Sequence, residues 1–178
     1  MKKALGMIAL GVMMFMSSFA AAQTTASGTL NVTATVNGSI SLVFNSDAAG
    51  VPLSSGAGTN AATLAFGNVS AFGNVAANIT RTVVPNTNFT ISTPVDFNVS
   101  KANLTSANYT LKAQLNAADA VNNWAVGGTA VANAAASTIT ATGAYASNVP
   151  FAVALTVPFT TAGGTVINNT INFTAQAN

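Results

Sequence analysis

The chain has 178 residues, half of them hydrophobic and only 4% charged, with no His, no Cys and three Asp as its only acidic side chains. Those absences remove the usual general base, the thiolate nucleophile and the common zinc ligands, so neither enzyme activity nor a metal or other cofactor is expected. Five basic residues against three acidic ones make no dense basic patch, and no nucleic-acid partner is expected.

The first predicted element is not part of the fold. Met1-Lys2-Lys3 is followed by an apolar run from Ala4 to Phe19 and then by Ala20-Ala21-Ala22. A short basic region, a short apolar core and small residues at the end describe a secretory signal peptide over 1–22, with no retained membrane span. Cleavage there takes Lys2 and Lys3 away. Residues 23–178 then hold Arg81, Lys101 and Lys112 against Asp47, Asp96 and Asp119, which balance. So few charges repel neighbouring copies weakly, which suits a protein that assembles. With only these three side-chain carboxylates to protonate, acid is expected to change the protein little. An exported chain without cysteine must rely on its core for stability.

The next segment, "SGTLNVTATVNGSISLVF" at 27–44, alternates apolar and polar residues on both sides of Asn37-Gly38. Asn-Gly between alternating runs is a strong hairpin signal. Phase argues against the two-residue turn, because it would set Val36 opposite Ser39 and Ala34 opposite Ser41, mixing apolar and polar residues on each face. A three-residue loop, 37–39, restores the match but asks Ser39 to adopt the left-handed conformation. A continuous strand with Gly38 as a joint keeps phase at no cost. The alternatives therefore are one line of two segments, or a hairpin.

Further along, Gly56-Ala57-Gly58 reads as a flexible loop and the run 63–66 as a short strand. Val75, Ala77, Ile79 and Val83 share a face, and Phe89 to Val99 alternate with polar residues around Pro94, which implies an edge position or a break. Tyr109, Leu111, Ala113 and Leu115 form another face, followed by a loop containing Trp124 and an Ala-rich stretch, 131–136, that could form a helical turn. Ile139, Ala141, Gly143 and Tyr145 come next, then Val149 to Phe159 in alternation, and finally Ile167, Ile171 and Phe173 after Gly163-Gly164. Short strands at this spacing without a helical period indicate an all-β, antiparallel β-sandwich. Asn-x-Ser/Thr recurs, at Asn68, Asn78, Asn88, Asn98 and Asn108 among others; abundant Asn and Thr alternating on strands account for it better than glycosylation does.

Three stretches carry a family resemblance: "TASGTLNVTATV" with a small-residue break and a second alternating segment, "LAFGNVS", and "VPFAVAL" with the closing "AGGTVINNTINFTAQ". Together they resemble the archaic (Csu-type) chaperone–usher pilins and the spore coat protein U domain family. The cysteines this family carries near Ser39-Ile40 and near Val83-Val84 are both missing. The resemblance implies an immunoglobulin-like, pilin-like sandwich over 38–178 preceded by a donor-strand extension over 23–37. Leu30, Val32, Ala34 and Val36 would enter a neighbouring subunit, with Asn37 and Gly38 as the joint. It implies a head-to-tail homopolymer, and a periplasmic chaperone and outer-membrane usher as partners on the way from periplasm to cell surface. The other expectations are a monomeric secreted sandwich that binds carbohydrate or another surface ligand, and an amyloid-like matrix protein.

Overall fold

A computed structural model describes residues 26–178, and among them every regular element is a β-strand. The predicted signal peptide lies outside the described residues. The chain divides into two units, Met1–Thr35 and Val36–Asn178. In the first, residues 26–35 carry no regular structure and are exposed throughout.

The second unit holds two antiparallel sheets. One is built from β1 (Ser39–Ser46), β2 (Thr80–Val84), β3 (Asn88–Ala102), β5 (Asn123–Val126), β6 (Thr129–Val131) and β8 (Asn148–Pro158), in the order β1-β3-β8-β5-β6, with β2 also on β3. The other is β7 (Ser137–Gly143), β4 (Tyr109–Leu115) and β9 (Ile171–Ala177), with β4 in the middle. Period-two alternation decides which side chains lie between them. Ile91, Val95, Phe97 and Val99 of β3, Tyr109, Leu111, Ala113 and Leu115 of β4, and Val153, Leu155 and Val157 of β8 are buried in one core with Trp124, Val126 and Val131.

Pro94 was expected to force an edge or a break, yet β3 runs unbroken for 15 residues through the middle of its sheet. The reason is local. β1 pairs with Val95 to Ala102 and β2 with Asn88 to Ser92, along the same edge of β3, so Pro94 falls in the gap between them. Its missing N–H has no ladder bond to make there. Gly50 fills the gap instead, and a Cβ on it would lie 2.1 Å from the Pro94 carbonyl oxygen. Buried Thr93 fastens the crossing: its hydroxyl accepts from the Val51 N–H (2.7 Å) and donates to the Asn78 carbonyl (2.9 Å).

Three further expectations are corrected. Trp124 lies in a strand, because Gly127-Gly128, both at positive φ, turns β5 tightly into β6. Residues 131–136 form no helical turn; Leu115 N–H donates to Ala132 O there as the chain crosses to β7. Residues 63–66 form no strand, although Thr63 makes an isolated bridge to Ser55. The positions compared with the family's cysteines are also far apart. Ile40 pairs with Lys101 and Val83 with Phe89, separated along β3 by roughly 40 Å, well beyond disulfide reach.

Candidate assembly groove

The two long sides of the molecule differ. On one side the sheets are closed together: Trp124 and Val131 are buried, and Gln114 Nε2 donates to Asn133 O (2.8 Å) across the β6–β7 connection. On the other side lie β1 and β9, each paired along one edge only, β1 with β3 and β9 with β4. Among the described residues no strand pairs with the remaining edge of either.

Their inward side chains are apolar and pack against the core along this side of the sandwich. Ile40, Leu42 and Phe44 of β1 and Ile171, Phe173 and Ala175 of β9 are only half-buried, whereas Val99 and Leu111 in the neighbouring strands are fully buried. The floor is an aromatic cluster of Phe44, Phe97 and Phe173, with ring centroids 4.9–5.4 Å apart. This cluster sets the level of the two edges at Phe44 and Phe173; from there Leu42 and Ile40 of β1, and Ala175 and Ala177 of β9, run toward the end where β3 leads into β4.

The backbone is as available as the side chains. In an antiparallel ladder, alternate residues send both N–H and C=O to the same edge. Phe44 bonds outward, to Gly58 and Thr59, so Leu42 and Ile40 also present their groups to the open edge. At the ends of β9, Thr170 O accepts from Asn116 N–H and Asn178 N–H donates to Asn108 O, the residues flanking β4, so Ile171, Phe173, Ala175 and Ala177 present theirs outward.

The residues expected to form the donor segment are exposed. Leu30 is 88% exposed, Val32 78% and Val36 72%, Ala34 is exposed too, and none lies in a strand. Neither hairpin forms. Asn37 and Gly38 have no positive φ, and Ser39 is already in the ladder opposite Ala102. β1 starts at Ser39, so the continuous strand through Gly38 does not form either. Gly38 serves close packing, since a Cβ there would lie 2.3 Å from Leu104 Cδ2.

Protein-family models, characterised proteins and solved structures give no match to this chain. The groove therefore stands on its own geometry. The alternation of β1 and of β9 was legible in the sequence but their place at the edge was not, because an edge strand and a central strand share one alternation. Only the pairing of β1 and β9 separates them.

Proposed function

We propose that the protein is a secreted structural subunit that polymerises head to tail into a fibre by strand donation. The immunoglobulin-like sandwich is one strand short, and residues 29–36 of a second copy supply that strand. One observation carries the reading: a chain with apolar residues along two edges that no strand covers also holds an exposed segment, outside any strand, with the matching alternation.

Side-chain size supports a direction. Run antiparallel to β9, the donor can set Leu30 against Ala177, Val32 against Ala175, Ala34 against Phe173 and Val36 against Ile171, so that the small donor residue meets the largest acceptor. Run parallel, it sets Val32 against Phe173 and Ala34 against Ala175, crowding one position and leaving a void at another.

Reach favours a second copy as the source. Antiparallel insertion leaves Val36 beside Ile171, while Ser39 of the same chain lies at the far end of β1. The two places are separated by roughly 20 Å, and three residue steps cover about 11 Å at most. A chain cannot fill its own groove in that direction, and its own hairpin would give the crowded, parallel one.

Burying Leu30, Val32 and Val36 at about 1.5–3 kcal/mol each contributes roughly 5–9 kcal/mol before main-chain bonds and ordering costs. Val32→Asp places a carboxylate in the groove and should abolish fibres in negative-stain micrographs, leaving a folded monomer by size-exclusion chromatography and circular dichroism. Fibres of ordinary yield from that variant would refute the mechanism, and irregular aggregates from the unaltered chain would favour an amyloid-like matrix.

A further inference from the structure

Residues 54–63, part of the long connection between β1 and β2, form a small folded loop rather than a slack one. Its stem is closed by Ser54 N–H to Thr63 O (2.9 Å) and Thr63 N–H to Ser55 O (3.0 Å), with the Ser55 and Thr63 hydroxyls 3.0 Å apart. Its tip turns through Gly56 (φ 73°) and Gly58 (φ 78°), conformations that suit glycine. Thr59 Oγ1 is bonded to the carbonyls of Gly56 (2.7 Å) and Ala61 (2.8 Å) and holds the tip in shape.

That tip lies on the groove. Phe44 N–H donates to Thr59 O (2.9 Å) and Gly58 N–H donates to Phe44 O (2.7 Å), so both outward backbone groups of Phe44 are taken. Phe44 is also the floor residue beside Phe173 (5.4 Å). The open edge of β1 therefore stops at Val43, while among the described residues no strand or loop bonds to the facing edge of β9.

We propose that residues 56–59 are an autoinhibitory clasp: they hold the Phe44 position of β1 that an inserting strand from a second copy needs, so release of this loop gates polymerisation. The inference rests on the strand-donation reading. In the antiparallel register, Ala34 arrives at the level of Phe44 and Phe173, and the donor beyond it passes the clasp. The first half of the donor pairs freely with Ile40 and Leu42. The second half competes with Gly58 and Thr59 for the same backbone groups, and an exposed edge is meanwhile kept from casual pairing.

The test uses the chain carrying Val32→Asp as acceptor, which cannot donate, and a fluorescent peptide of residues 27–38 as donor. Gly58→Pro removes one clasp donor and forbids the positive φ of the tip. Ser55→Cys with Thr63→Cys staples the stem in a chain that has no other cysteine. Peptide insertion, followed by anisotropy, should be roughly tenfold faster with Gly58→Pro and several-fold slower in the stapled variant. Reductant should return the stapled variant to the unstapled rate. Equal rates in all three would overturn the clasp and leave strand donation standing. Failure of the peptide to enter any of them would overturn both.

Discussion

Tyr109 shows how closely the interior constrains single residues. It is fully buried against Tyr145, with ring centroids 5.4 Å apart, and a Cβ on Gly143 would lie 2.2 Å from its ring. Gly143 is therefore required by the ring's volume rather than by a turn. The Tyr109 hydroxyl has no hydrogen-bond partner among the described residues. Burial, with Tyr145 beside it, pushes the phenol pKa upward, so it stays neutral at any physiological pH. A buried hydroxyl without a partner costs about 1–3 kcal/mol. Tyr109→Phe keeps the ring and removes that cost, and should raise the denaturation midpoint by the equivalent of about 1 kcal/mol. A lower midpoint would mean that the hydroxyl is bonded after all.

At the scale of elements, the β4–β5 connection is held by one side chain. Asp119 accepts from the Val121 N–H, the Asn122 N–H, the Asn122 side-chain amide and the Trp124 indole N–H, at 2.9–3.2 Å. Burial alone would raise its pKa; the bonds from Asn122, Trp124 and Val121 outweigh it and lower the pKa to about 2. A carboxyl depressed from the ordinary 3.8 contributes stability that is complete above that value and is lost as pH falls toward 2. Discounted for its solvent-facing side, the contribution is about 1 kcal/mol. Urea titrations between pH 6 and pH 2 should show that loss in the unaltered chain and not in Asp119→Asn, which is already weaker at neutral pH. An identical acid profile for both would remove Asp119 from this role.

The alternation that fixes β3, β4 and β8 was legible because alternate residues are buried from Phe89 to Val99, from Tyr109 to Leu115 and from Val153 to Val157. Pro94 was not, since its tolerance depends on β1 and β2 both stopping short of it, which is a long-range fact. The β5–β6 hairpin had a local signal, Gly127-Gly128 between two short apolar runs, that the surrounding Asn and Ala obscured. The clasp had no signal of its own, because its hydrogen bonds are to backbone and depend on where β1 lies. The alternation of residues 29–36 was equally legible, but it led to no strand, since these residues stay exposed and outside both sheets.

Over the whole molecule the acid response is a balance. Asp96 opposes Asp119: burial and the neighbouring charge of Asp47 raise the Asp96 pKa against the Asn148 amide that donates to it, so Asp96 takes up a proton more readily in the fold than in the unfolded chain. Acid therefore relieves a repulsion at Asp96 while releasing the bonds at Asp119, so the two effects oppose each other. Topology makes the larger claim. If fibres form because three residue steps are too few for a chain to fill its own groove, length alone should undo them. Inserting eight Gly/Ser residues between Asn37 and Gly38 adds roughly 25 Å of reach, enough for Val36 to lie beside Ile171 of its own chain. The millimolar effective concentration of a tethered segment then favours its own groove over that of a dilute second copy. The expected product is a monomer by analytical ultracentrifugation, more stable than the Val32→Asp monomer because its groove is filled. Undiminished fibres from the lengthened chain would show that the joint's length does not enforce exchange, and that another contact between copies does.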